Sequence, residues 1–218
     1  MATPERQPNA VARAEREALC DLLLEVGPDA PTLCAGWTTR SLAAHLVLRE
    51  SRVDAAMGII AKPFAGYTSR VQEQIGRRVW PTLVDDVRKG PPRWSPQSIA
   101  TLDAESNTLE FFVHHEDVRR ARAEWEPRTL DDVTAADVWR RFVRLSRLLL
   151  RRSPVGVVAM ATDGPAAGAS LTLRSGDPVV TLIGPAGEIM LSGYGRATKG
   201  LEIRGESADV EAYLSFPR

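Results

Sequence analysis

The stretch NTLEFFVHHEDVRRARAEW, residues 107–125, holds His114 and His115, two of the three histidines in the chain. On a helix, Asn107, Glu110, His114, Asp117 and Ala121 recur at three- and four-residue steps and share one face. Leu109, Phe112 and Val113 flank that stripe, while Arg119, Arg120 and Arg122 point mostly elsewhere. A polar stripe bordered by large apolar groups needs partners, because buried carboxylates and imidazoles are costly alone. Glu110 and His114 are i and i+4, so a carboxylate oxygen and an imidazole nitrogen can reach one divalent ion. Helical bundles build metal sites from side chains on facing helices. The third ligand would come from another helix, and His45 is the only other histidine. Two imidazoles and one carboxylate leave coordination positions open, which suits catalysis or ligand exchange. The same i,i+4 spacing also serves a surface ion pair or a hydrogen-bonded core pair. Asp117 can orient the His114 ring or pair with an arginine. His115 lies about a quarter turn off the stripe and reads as partly exposed.

The elements that must carry these residues follow from periodicity and punctuation. Asn9 can cap a first helix with Val11, Ala14, Ala18, Leu22 and Val26 at helical spacing, stopped by Gly27-Pro28. Thr38 can cap a second helix with Leu42, Leu46, Val53, Met57 and Ile60 on one face, ended by Lys62-Pro63 and Gly66. Ser69 with Gln72 makes a capping-box pattern for a third helix, which Pro81 breaks or kinks. The fourth helix starts between Ser95 and Asp103 and ends before Pro127. Thr134 with Asp137 repeats the capping box, with Val133 and Val138 as a staple. That fifth helix runs to about Arg152 and shows Phe142, Leu145, Leu148 and Leu149 on one side. Its arginines read as a solvated face.

After Ser153-Pro154 the texture changes. VGVVAMA, ASLTLRS and PVVTLIG are short, β-rich and separated by Gly, Pro and Asp. Gly184-Pro185 opens a short helix through Leu191, GLEIRG reads as a strand, and Ser207 begins a last helix. The expected organisation is a helical body over residues 1–152 followed by a small α+β domain over 153–218.

Composition bounds the function. Apolar residues make up 44% and charged residues 26%, as in a globular chain. Lys+Arg and Asp+Glu both total 28, so no net field draws in nucleic acid or a membrane surface. The N-terminus has no apolar core region of a signal peptide, and no apolar run approaches the ~20 residues of a membrane span. Cys20 and Cys34 are isolated and suggest neither a disulfide scaffold nor a cysteine zinc site. A cytoplasmic protein is expected.

TLCAGWTTRSLAAHLVLRE together with NTLEFFVHHEDVRRA resembles the DinB-like metal-binding superfamily, and more closely the branch of mycothiol-dependent maleylpyruvate isomerase. In that branch a Gly-Trp-Thr turn precedes a helix bearing one histidine ligand, and a later helix supplies an E-x-x-x-H pair followed by an aspartate. The resemblance implies a DinB-like up-down helical bundle with an α+β C-terminal domain. It implies His45, Glu110 and His114 as metal ligands and Asp117 as the trailing aspartate that orients His114. GPAGEIMLSGYGR followed by LEIRGE is similar to the branch's C-terminal domain, with Arg196 on its Gly-Arg. The chain reads HHED where the isomerases read His-Arg-Trp-Asp, which points to a different metal-binding subgroup. The implied activity is a metal-dependent transferase or isomerase, with zinc the expected ion and mycothiol the expected thiol cosubstrate. Its partners would be the thiol and an electrophilic small molecule. Arg196 would pair with an anionic group of thiol or substrate, and Arg49, one turn after His45, is a further cofactor-binding candidate or a structural ion-pair member. The rival reading is a non-catalytic protein that stores, senses or is stabilised by its metal.

Overall fold

Gly27, at φ 81°, ends the first helix through its backbone N–H to Leu23 O, a conformation glycine adopts without steric cost. The computed structural model describes residues 8–52, 54, 65–95 and 98–218. In these there are eight helices and four strands, in the expected order except that the third expected helix is broken into two. The helices are α1 (Ala10–Val26), α2 (Thr39–Ser51), α3 (Ala65–Gly76), α4 (Trp80–Lys89), α5 (Ala100–Arg119) and α6 (Asp132–Leu149). Then come β1 (Gly156–Ala161), β2 (Ser170–Arg174), β3 (Val179–Gly184), α7 (Ala186–Gly193), β4 (Glu202–Arg204) and α8 (Ser207–Ser215). The protein is mainly α, a helical bundle with a small α+β part. No helix among the described residues is long and apolar enough to cross a membrane.

Several boundaries differ from the sequence expectation, each for a local reason. Asn9 precedes α1 but makes no side-chain cap; its Nδ2 donates to Asp103 Oδ2 at 2.6 Å instead. The third helix starts before Ser69, so Gly66 lies within it. Pro81 occupies the first turn of α4, where its missing N–H costs nothing, so it begins a helix and does not kink one. Asp131, not Thr134, caps α6: its carboxylate accepts from Val133 N and Thr134 N at 3.0 and 3.1 Å. Val53, Met57 and Ile60, expected on the second helix, lie outside the described residues.

The chain divides into two compact units, Met1–Trp125 and Glu126–Arg218. In the first, α1 packs on α4 and α5, and α2 packs on α3 and α4. Leu19, Leu23, Leu42, Leu46, Leu83, Val87 and Phe111 form its core. The inner face of α1 is not the stripe that apolar spacing suggests: Ala14 is exposed, while Glu15 and Arg16 are buried. Arg16 makes a two-pronged pair with Glu50, at 2.7 and 2.6 Å, and its guanidinium lies 4.2 Å from the Phe111 ring centre. Matched charges allow this helix to turn two ionisable side chains inward.

In the second unit the sheet order is β2-β1-β3-β4, with β1 and β3 parallel and the outer pairs antiparallel. The helix α6 packs on α7 and β2, so it belongs with the sheet although the β-rich texture begins only after Ser153. Of its expected apolar side, Phe142 is fully buried, but Leu148 is exposed. Gly193 lies against Phe142: a Cβ there would meet Cε2 at 2.6 Å. Asp163 Oδ1 accepts from Ala186 N at 2.7 Å and fixes the start of α7.

Candidate metal centre

α2 and α5 carry the polar side chains that the histidine spacing singled out. His45 Nε2 lies 3.2 Å and His114 Nε2 3.3 Å from the same oxygen, Oε1 of Glu110. One ligand atom from each of His45, Glu110 and His114 lies within 4.8 Å of the other two. Two donors held about 2.0–2.1 Å from a tetrahedral zinc ion stand about 3.3 Å apart. The two measured nitrogen–oxygen separations match that edge, so this donor set fits a small divalent ion. The same separations serve the metal-free protein as hydrogen bonds, with both imidazoles donating to one carboxylate oxygen.

The surroundings set the charge states. Burial opposes charge on Glu110, but the hydrogen bonds from His114 and His45 and the charges of His114 and Arg49 outweigh it. Its carboxyl is held well below the usual range. Burial likewise opposes an imidazolium at His114. Asp117, Cys34 and Glu110 override it and raise the ring well above its usual value. The metal-free site therefore favours an ionised Glu110 and a protonated His114, an arrangement in which protons stand where a cation can.

Asp117 is fully buried and its Oδ2 lies 3.0 Å from His114 Nδ1, the geometry that fixes a ring so that its other nitrogen faces a ligand. Trp37, from the Gly-Trp-Thr turn, packs on His45 with ring centres 5.0 Å apart. Arg49 is engaged by three groups: Asn107 Oδ1, Ser106 O at 2.7 Å, and Glu110 Oε1 at 3.4 Å from its Nε. Asn107 in turn donates to Glu50 and Asp103 at 2.7 and 2.6 Å. A continuous polar network thus runs from the Arg16–Glu50 pair to the Glu110 carboxylate.

His115 corrects the expectation of partial exposure. It is buried, and its Nδ1 lies 2.9 Å from Glu15 Oε2, on the side of α5 that meets α1. Arg120 is also buried, paired with Glu116 at 2.6 Å. Arg196 belongs to the second unit, where it is half-buried and donates to Tyr194 O at 2.9 Å. Sequence reasoning passed over Cys34. Its Sγ lies 3.2 Å from Asp117 Oδ2 and 3.8 Å from His114 Nδ1. A search of the sequence for paired cysteines could not find it, because its partners are a histidine and an aspartate 80 and 83 residues away.

A helical bundle with two histidines and a glutamate converging from two helices is the architecture that the DinB-like motifs imply. Residues 10–144 match the family described as mycothiol maleylpyruvate isomerase N-terminal domain. The match spans well over half of the chain, which belongs to that family. No curated protein and no solved structure matches it.

Proposed function

We propose that the first unit binds a divalent metal, zinc by its donor set, through His45, Glu110 and His114, and that the protein is a metal-dependent enzyme using a low-molecular-weight thiol of the mycothiol type. The observation that carries this reading is the meeting of two imidazole nitrogens, from two helices, on one carboxylate oxygen. The family's own name supplies the thiol. A bound divalent ion would supply a lowered thiol pKa and hence a thiolate nucleophile at neutral pH.

The chain's own residues contribute the rest. Asp117 holds Nδ1 of His114, so that Nε2 faces the centre. Arg49 holds Glu110 and Asn107 in register, with direct contact to the thiol as its alternative role. Three protein ligands leave room for an exchangeable one. Arg196, on the Gly-Arg of the C-terminal motif, would pair with an anionic group of thiol or electrophile. The expected reaction class is transfer or isomerisation of an electrophilic small molecule.

The test is elemental analysis of the purified protein, followed by cobalt substitution and addition of thiols. Bound metal is expected in the wild type, with one equivalent fewer in His45→Ala and at least one fewer in His114→Ala. An intense sulfur-to-cobalt absorption should appear with mycothiol. Stoichiometric metal with spectra unchanged by every thiol would leave a non-catalytic metal protein. Absence of metal in the wild type under saturating zinc would overturn the site.

A further inference from the structure

The segment joining α1 to α2 is tied to α5 by a backbone hydrogen bond from Leu33 N to Asp117 O, 3.0 Å. Thr32 Oγ1 accepts from Cys34 N at 3.2 Å and donates to Trp37 O at 3.0 Å, and Trp37 N donates to Cys34 O at 2.9 Å. Gly36, at φ 77°, supplies the turn. This strapping holds the half-buried Cys34 thiol beside the nitrogen of His114 that faces away from Glu110. Sulfur, nitrogen and oxygen donors from Cys34, His114 and Asp117 all lie within 4.8 Å of one another.

We propose that Cys34 Sγ, His114 Nδ1 and Asp117 Oδ2 form a second seat, for a thiophilic divalent ion, sharing the His114 ring with the first. It rests on the first-site reading only through that shared ring. Around a tetrahedral zinc-sized ion, with sulfur at about 2.3 Å and nitrogen or oxygen at about 2.0–2.1 Å, the sulfur edges are about 3.5 Å and the nitrogen–oxygen edge about 3.3 Å. The three separations, 3.8, 3.2 and 3.0 Å, need shifts of about 0.3 Å to fit. The donor set contains a thiolate and so selects zinc- or cadmium-like ions over hard, oxygen-seeking ones.

Charge also balances. Filling both seats releases the Cys34 thiol proton and the remaining ring protons of His114 to solvent. The thiolate, the imidazolate and the carboxylates of Asp117 and Glu110 then carry four negative charges against two dications. No oxidant or reductant takes part. Cys20, the other cysteine, cannot stand in for Cys34: it is fully buried, and burial pushes its thiol up to about 12.

The experiment titrates the metal-free protein with Cd²⁺, reading stoichiometry by calorimetry and sulfur ligation by the sulfur-to-cadmium ultraviolet band. The wild type should take two equivalents and show the band. Cys34→Ser should keep one equivalent and lose the band, while His45→Ala should keep the band and one equivalent. A single equivalent without a band, unchanged in Cys34→Ser, overturns the second seat and leaves the first standing. A single equivalent with a band that persists in His45→Ala supports the Cys34 seat and overturns the first. A band lost in both variants means one shared site and overturns the second seat. Alkylation of Cys34 in the wild type provides a check that needs no variant. It should stop once Cd²⁺ is saturating, and an unchanged alkylation rate overturns the proposal.

Discussion

His115 and Glu15 form a buried pair, Nδ1 to Oε2 at 2.9 Å, that joins α5 to α1 across 100 residues of sequence. The adjacent histidine, His114, faces Glu110 instead. Two neighbouring imidazoles thus serve opposite purposes, one in packing and one in the candidate centre.

Replacing His115 by alanine removes one partner of a buried carboxylate. The expected loss of stability is about 1–3 kcal/mol, measured by urea unfolding. Metal content should remain that of the wild type. Loss of metal in a folded His115→Ala protein would show that the ring takes part in the centre.

Arg49 offers a second separation of roles. Its Nε contacts Glu110 Oε1 and its guanidinium holds Asn107, so it positions a ligand. Arg49→Ala should weaken metal binding about 10–100-fold, with thiol affinity at saturating metal unchanged. Competition with a chromophoric chelator reads the first quantity and calorimetry the second. The reverse pattern, intact metal binding and weakened thiol binding, would give Arg49 a direct role in holding the thiol.

These contacts show what the sequence could and could not reveal. Glu110, His114 and Asp117 were legible because their meeting depends on helical spacing alone. His45 was legible because so few histidines exist. The Glu15–His115 and Arg16–Glu50 pairs were not, since hydrophobic periodicity assigns charged residues to the solvent side. Only tertiary packing brings their partners close enough to neutralise them. The Cys34 contact depends on the Leu33–Asp117 strap, a long-range backbone bond with no local signature. In the second part, strands and helices were legible from β-branched runs and Gly-Pro punctuation. The attachment of α6 to the sheet was not, because its arginine-rich texture continues that of the preceding helices.

That attachment yields a prediction about division of the chain. Phe142 is fully buried, and α6 packs on α7 and β2. A fragment of residues 126–218 should therefore fold, with a cooperative thermal transition, while residues 153–218 should be molten or unfolded. Equal stability of the two fragments would favour a domain boundary at 152/153, where the texture of the sequence changes.

The charge states of the candidate centre make metal binding depend on pH. His114 in the metal-free fold is raised well above its ordinary value of 6.5. Its contribution to metal-free stability is fully present below the unfolded value and is lost as pH rises through the folded one. Glu110 is lowered well below its ordinary value of 4.5. Its contribution is present above that value and is lost as pH falls through the folded one. A metal ion displaces the proton on His114 Nε2, so binding competes with protonation most strongly below the raised imidazole value. Apparent affinity should rise with pH across the neutral and mildly alkaline range, by up to about tenfold per pH unit for each proton released. The stabilisation of the zinc-loaded over the metal-free protein should widen over the same range. Its carriers are the growing affinity and the fading His114 contribution to the metal-free form. Thermal unfolding of both forms at a series of pH values, from neutral into the alkaline range, would measure it. A gap that stays constant, or narrows, as pH rises would mean that His114 does not surrender a proton to the metal.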